Sequence, residues 1–209
     1  MAKGKNPKKG ERPENIIFGI VATYCKVIHK WIKKYLLIPP GSDANNGFRG
    51  WINRNYTSNH AATEWPISSD MIMCQLNNET DLRNFFFKQI TVNDRGGLVL
   101  AVELPGFIPA IDIKAPKGTE KVNIKLIGVS LSFGDRAGGG GGDTLKEFMV
   151  DYNNTPVLTQ EFLLDLKTSG KGDFAFIAVA FEFKKKGADL FLQDPKFLPA
   201  AVIAMGRLK

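Results

Sequence analysis

A chain of 209 residues that is 44% hydrophobic and 23% charged can bury most of its apolar surface on folding, which excludes a wholly disordered protein and makes a disulfide staple unnecessary. Its formal charge of +7 lies entirely in the first forty residues, where Lys3, Lys5, Lys8, Lys9, Arg12, Lys26, Lys30, Lys33 and Lys34 stand against Glu11 and Glu14, and the remainder of the chain is balanced. Two cysteines, Cys25 and Cys74, exclude a disulfide framework, leave a single bridge open, and fit a reducing or an indifferent compartment.

Residues 1–13 are dominated by Gly, Pro and Lys, so nothing offsets the entropy of ordering them, and they are expected to form a flexible basic arm. A basic stretch followed by the apolar Ile16–Cys25 has the order of a secretory signal. Tyr24 is too bulky for cleavage before Cys25, no small-x-small site follows, and Lys26 ends the apolar run far short of the ~18 residues that span a bilayer. The segment therefore reads as mature protein, with neither a cleavable signal peptide nor a transmembrane helix.

Pro13, Glu14 and Asn15 supply helix-start chemistry, and Ile17, Ile20, Val21, Tyr24, Val27, Ile28, Trp31 and Tyr35 recur at spacings of three and four. An amphipathic helix over 14–38 follows, its other face carrying Lys26, Lys30, Lys33 and Lys34 where the helix dipole favours cations. Pro39 and Pro40 end it, and 41–50 reads as loop. Residues 39–85 form an Asn-rich connecting region with short helices expected near 70–76 and 80–86. From residue 86 to 209 the period changes to two, and an antiparallel β-sandwich is expected.

The predicted strands are 89–93 and 98–104, flanking the turn Asp94-Arg-Gly-Gly97, then 111–114, 122–133, 148–152, 157–166, 174–184 and 200–208. Within 122–133 the apolar phase slips by one residue at Ile127-Gly128, which predicts a bulge. The glycine run 138–142 reads as a flexible connection, and Lys184-Lys-Lys186 as a solvated turn that discourages edge pairing.

Catalytic chemistry finds little to work with. Cys25 and His29 share a helical face at metal-ligand spacing, but His60 is the only other histidine, and two ligands do not make a site. The glycine run is followed by Asp143-Thr-Leu-Lys and lacks the Gly-Lys-Ser/Thr of a phosphate loop. Ser130 in Gly128-Val-Ser-Leu-Ser132 sits within a strand and lacks the last glycine of a nucleophile elbow. The expectation is a protein that is not an enzyme and has no cofactor, metal or small-molecule substrate.

The segment Leu98-Val-Leu-Ala-Val-Glu-Leu-Pro-Gly-Phe-Ile-Pro109, followed by Asp112-Ile-Lys-Ala-Pro-Lys-Gly-Thr119, resembles a family of small β-rich bacterial proteins of similar length and unassigned function. The resemblance implies a β-rich body and carries no catalytic residue over.

The cationic leader is the strongest functional signal. The expected function is a structural subunit that self-assembles, of virion or surface-filament type, through its arm and its first helix, with Ile17, Ile20, Tyr24, Val27, Trp31 and Tyr35 as assembly contacts. The alternative is nonspecific binding of nucleic acid by Lys3, Lys5, Lys8, Lys9, Arg12 and the helix lysines, without sequence readout. An anionic membrane surface ranks third.

Overall fold

The long apolar segments after residue 118 set the architecture, because successive side chains of a strand point to opposite faces of its sheet and here both faces are covered. The computed structural model describes residues 13–59, 67, 74–132, 141–166 and 173–207. Among them the strands are β1 (Cys74–Gln75), β2 (Thr91–Asp94), β3 (Val99–Leu104), β4 (Thr119–Ser132), β5 (Gly141–Asp151), β6 (Gln160–Asp165), β7 (Asp173–Lys185) and β8 (Ala200–Arg207). All pairings are antiparallel and make a five-stranded sheet, ordered β1-β8-β7-β4-β5, and a three-stranded sheet, ordered β2-β3-β6.

The two sheets pack face to face as a β-sandwich. Leu100, Val102, Leu104 and Leu164 of the small sheet meet Val122, Ile124, Leu126, Ile177, Val179, Phe181 and Phe183 of the large one. The opposite faces of β4 and β7 carry Ile127, Val129, Leu131, Phe174, Phe176 and Ala178, which pack under two helices, α1 (Pro13–Lys33) and α2 (Ser42–Asn59). The protein thus has three layers: helices, five-stranded sheet, three-stranded sheet.

That layering corrects the expected bulge. The β4–β5 register runs unbroken from Lys121 to Leu131, and β4 passes β7 without a shift at Ile127-Gly128. The apolar phase changes because the strand is covered on both faces at different heights, first by the small sheet and then by the helices. On the sandwich side Gly128 is required: a Cβ there would lie 2.7 Å from Leu166 Cδ2 and 2.9 Å from Thr144 Cγ2. The register does break elsewhere, between Ile177 and Ala178 of β7 where it faces β8.

Four further expectations are corrected. Residues 42–59 are helix, not loop: Phe48, Trp51 and Ile52 lie at i, i+3 and i+4 and are buried against α1 and the sheet, which overrides the weak propensity of the Asn and Gly around them. Helix α1 ends at Lys33, before the prolines, in a tight turn where Tyr35 N–H donates to Ile32 O at 3.0 Å. The predicted strand 111–114 is mostly a short helix, α3 (Pro109–Asp112), which begins with Pro109 and whose Asp112 carboxylate accepts the Ile108 N–H at 2.7 Å. Only Ile113 keeps a β-bridge, to Phe86. The fourth is the glycine run: Gly141 and Gly142 pair with Leu131 and Ser130, so β5 starts at Gly141 instead of Phe148, while Gly138–Gly140 lie outside the described residues.

In the connecting region Cys74–Gln75 is strand and Leu82–Asn84 is a 3-10 helix capped by Asp81, whose carboxylate accepts the Arg83 N–H at 2.9 Å. Residues 70–73 lie outside the described residues. The β2–β3 hairpin forms as expected, with Gly96 and Gly97 at φ of 77° and 60° and Leu98 following at 69°.

Candidate functional site

Helix α1 is oriented by Cys25, Ile28 and Ile32, all buried in the core beneath it. That rotation turns Lys26, Lys30 and Lys33 outward, and all three are exposed. Val27, Trp31 and Tyr35 flank the buried stripe and pack, partly buried, against the same core. Three of the six expected assembly contacts are thus engaged by the protein's own body. Ile17, Ile20 and Tyr24 belong to α1, but their side chains lie outside the described residues, as do Lys3, Lys5, Lys8, Lys9 and Arg12.

Lys34 stands apart from the other lysines. Its ammonium lies 2.5 Å from Asp143 at the start of β5, and the Tyr35 hydroxyl donates to the same carboxylate. Burial pushes Asp143 up, but the hydrogen bonds from Lys34 and Tyr35 outweigh it and hold the carboxyl below the usual carboxylate range. The bond to Asp143, with a smaller share from Tyr35, raises Lys34 to about 12. This tie fastens the end of α1 to the edge of the large sheet.

Between α1 and α2 runs a groove of about 170 Å³ lined by Cys25, Lys26, His29, Asn45, Phe48 and Arg49. His29 Nε2 and Asn45 Oδ1 are both buried in this lining, and no hydrogen bond of ordinary geometry reaches either atom. Burial, with Lys33 nearby, lowers the His29 imidazole below its ordinary value, against the smaller opposing effect of Asn45. The Cys25 thiol is pushed up to about 12 by burial and Cys74 to about 11, so both are neutral, and both are free. Cys25 and His29 do share a lining, as their spacing predicts. Among the described residues no group of three His, Cys, Asp or Glu side chains converges to hold a metal, and His60 lies outside them. What the groove offers is positive charge beside a buried imidazole nitrogen. Arg49 and Asn45 are the residues that sequence reasoning missed, because 41–50 reads as loop; the spacing of Phe48, Trp51 and Ile52 is the signal that places them on a helix.

A larger cleft of about 280 Å³ lies where the α1–α2 connection passes over β7, between Leu36, Pro40, Asn77, Leu198 and Phe181, with Glu182 in its wall. Glu182 is 3% exposed, and Lys125 Nζ sits 2.5 Å from it. Asn123 Nδ2 donates to Glu182 at 3.2 Å and to Glu147 at 3.0 Å, and Lys125 also donates to the Tyr35 carbonyl at 3.0 Å. Of the three carboxylates in the lining, Asp43, Glu79 and Glu182, the buried Glu182 is therefore already held by a cation and an amide, an arrangement that fixes β4, β7 and the end of α1 to one another. Phe85 and Phe86 are core residues, and Phe87 is exposed.

The third feature is β5. It ends the order of the five-stranded sheet, with β4 as its single hydrogen-bonded neighbour among the described residues. Tyr152 N–H donates to Glu120 O at 2.7 Å just beyond the strand. Antiparallel alternation then directs the N–H groups of Leu145, Glu147, Met149 and Asp151 away from β4. Met149 is half-exposed on this rim. No helix among the described residues is long and apolar enough to cross a membrane. Compared with family models, curated proteins and solved structures, the chain finds no match.

Proposed function

We propose that the protein is a non-enzymatic structural subunit that assembles with copies of itself, as in a virion shell or a surface filament. The observation that carries this reading is the β5 rim: eleven residues, Gly141–Asp151, without a proline and with one side unpaired among the described residues. Exposed edges in monomeric proteins are usually short, bulged or covered, because an open row of N–H and C=O groups pairs with another chain. Here the other sheet ends are shorter, two residues in β1, four in β2 and six in β6. With Val27, Trp31 and Tyr35 packed on the protein's own core, the edge is a better supported contact than the described part of the helix stripe, and the segment before Pro13 is the second candidate contact.

Light scattering and electron microscopy of the full chain over a range of concentrations test the proposal, with Met149→Pro as the probe. Proline at this position removes an outward N–H and leaves the β4–β5 ladder intact. The wild type and Met149→Ala should form ordered particles or fibres, and Met149→Pro should stay monomeric with an unchanged circular dichroism spectrum. A wild type that remains monomeric throughout, or a proline variant that assembles like its parent, overturns the reading.

A further inference from the structure

Charge is distributed unevenly across the three layers. The helical layer, residues 13–59, contains six bases, Lys26, Lys30, Lys33, Lys34, Arg49 and Arg54, and two acids, Glu14 and Asp43. It is entered directly from a segment holding Lys3, Lys5, Lys8, Lys9 and Arg12. The outer face of the three-stranded sheet has the opposite character. Register places Glu103 beside Glu161, with Asp165 further along the same face, and Arg95 pairs with Glu161. A polyanion approaching this protein is attracted to one face and repelled by the other.

We infer that the outer face of the α1–α2 layer binds the sugar–phosphate backbone of a nucleic acid without reading its sequence, seating a phosphate in the groove between Lys26, His29 and Arg49. Lys26, Lys30 and Lys33 form an exposed ridge at spacings of four and three, the kind of cation row that releases counterions from a phosphate chain. The groove beside Lys26 adds a concave seat lined by a further cation, Arg49, and by the buried His29 Nε2. An anionic membrane is the poorer fit. A helix lying in a lipid interface must bury an apolar face there, whereas Cys25, Ile28, Ile32, Phe48, Trp51 and Ile52 of α1 and α2 are buried in the protein's own core and Val27 and Trp31 pack, partly buried, against it. The large apolar residues that are exposed among the described ones, including Phe87, Ile111, Met149 and Leu158, lie outside this layer.

The inference names the cargo of the proposed subunit and rests on that reading only for the direction in which this face points within an assembly; binding itself is measurable on a monomer. The experiment is fluorescence anisotropy of the full chain, freed of nucleic acid, with a labelled mixed-sequence single-stranded 30-mer and with oligo-dT, at several salt concentrations. Affinity should be equal for the two sequences and fall steeply with salt. Lys26→Gln/Lys30→Gln/Lys33→Gln should weaken binding roughly tenfold or more at 0.1 M salt and reduce the log–log slope by about 2, at about 0.7 for each phosphate that is no longer neutralised. Lys184→Gln/Lys185→Gln/Lys186→Gln, which removes the same charge elsewhere, should leave both nearly unchanged. In a His60→Gln background the one remaining imidazole is His29, and its NMR resonances should shift on adding the oligonucleotide. Equal losses from the two triple variants, still His29 resonances, or tighter binding to phosphatidylserine vesicles than to the oligonucleotide would each overturn the inference. A monomer that passes these tests sinks the assembly proposal alone, and assembled particles indifferent to the oligonucleotide sink only this one.

Discussion

At the scale of single residues, two charged groups are held in ways that make different predictions. Among the described residues Lys125 is the cation paired with the buried Glu182, and a charge left alone in a protein interior costs several kcal/mol. Lys125→Met should therefore destabilise the fold by about 3–5 kcal/mol in urea unfolding, and adding Glu182→Met should restore most of the loss, since replacing both members of a buried pair is close to neutral. Equal destabilisation by the single and double variants would mean that the pair acts through packing alone. Asp143 responds to pH. Its folded value is depressed by Lys34 and Tyr35 against the upward push of burial, so its contribution is complete above the unfolded value of about 3.9 and disappears as pH falls through the lower folded value. The carboxyl carbon of Asp143 should titrate below the ordinary carboxylate range in the wild type. In Lys34→Met/Tyr35→Phe burial acts without opposition and the midpoint should move above that range, while an unmoved midpoint would remove the tie between α1 and β5.

Elements depend on what covers them, and this is where sequence reading both succeeds and stops. The β2–β3 hairpin is legible from the Asp94–Gly97 turn, β4 from the period-two spacing of Val122, Ile124 and Leu126, and β7 and β8 from dense apolar runs, all of them local signals. Helix α2 is not, since its Asn and Gly residues favour turns and only burial of Phe48, Trp51 and Ile52 beneath α1 makes it a helix. The same gap hides Asn45 and Arg49, so the lysine half of the basic groove is readable and the arginine half is not. The apolar phase change in β4 looks like a bulge because a sequence does not say that two different layers cover the two faces of one strand. Two glycines test these readings. Gly47, inside α2, has open space where a Cβ would go, so Gly47→Ala should stabilise by roughly 0.5–1 kcal/mol through helix propensity. Gly128→Ala pushes a methyl into Leu166 and Thr144 and should cost about 1–3 kcal/mol. Unfolding midpoints that rank the two variants the other way would contradict both the helix and the two-sided strand.

At the scale of the whole molecule, the open edge and the uneven charge act on each other. Antiparallel addition of β5 to its own copy passes through a two-fold axis normal to the sheet, which leaves both helical layers, and their lysines, on one side. Each contact then brings like-charged faces together, and that repulsion weakens as the Debye length shrinks from about 10 Å at 0.1 M salt to about 3 Å at 1 M. Self-association of the nucleic-acid-free chain should therefore strengthen with salt, opposite in sign to the binding of an oligonucleotide. Lys26→Gln/Lys30→Gln/Lys33→Gln, which lowers the formal charge from +7 to +4, should assemble at lower salt than the wild type while binding nucleic acid less tightly. Sedimentation velocity across a salt series checks both halves of this coupling. Association that weakens as salt rises would show an ionic contact between copies, and the β5 edge would then no longer account for assembly.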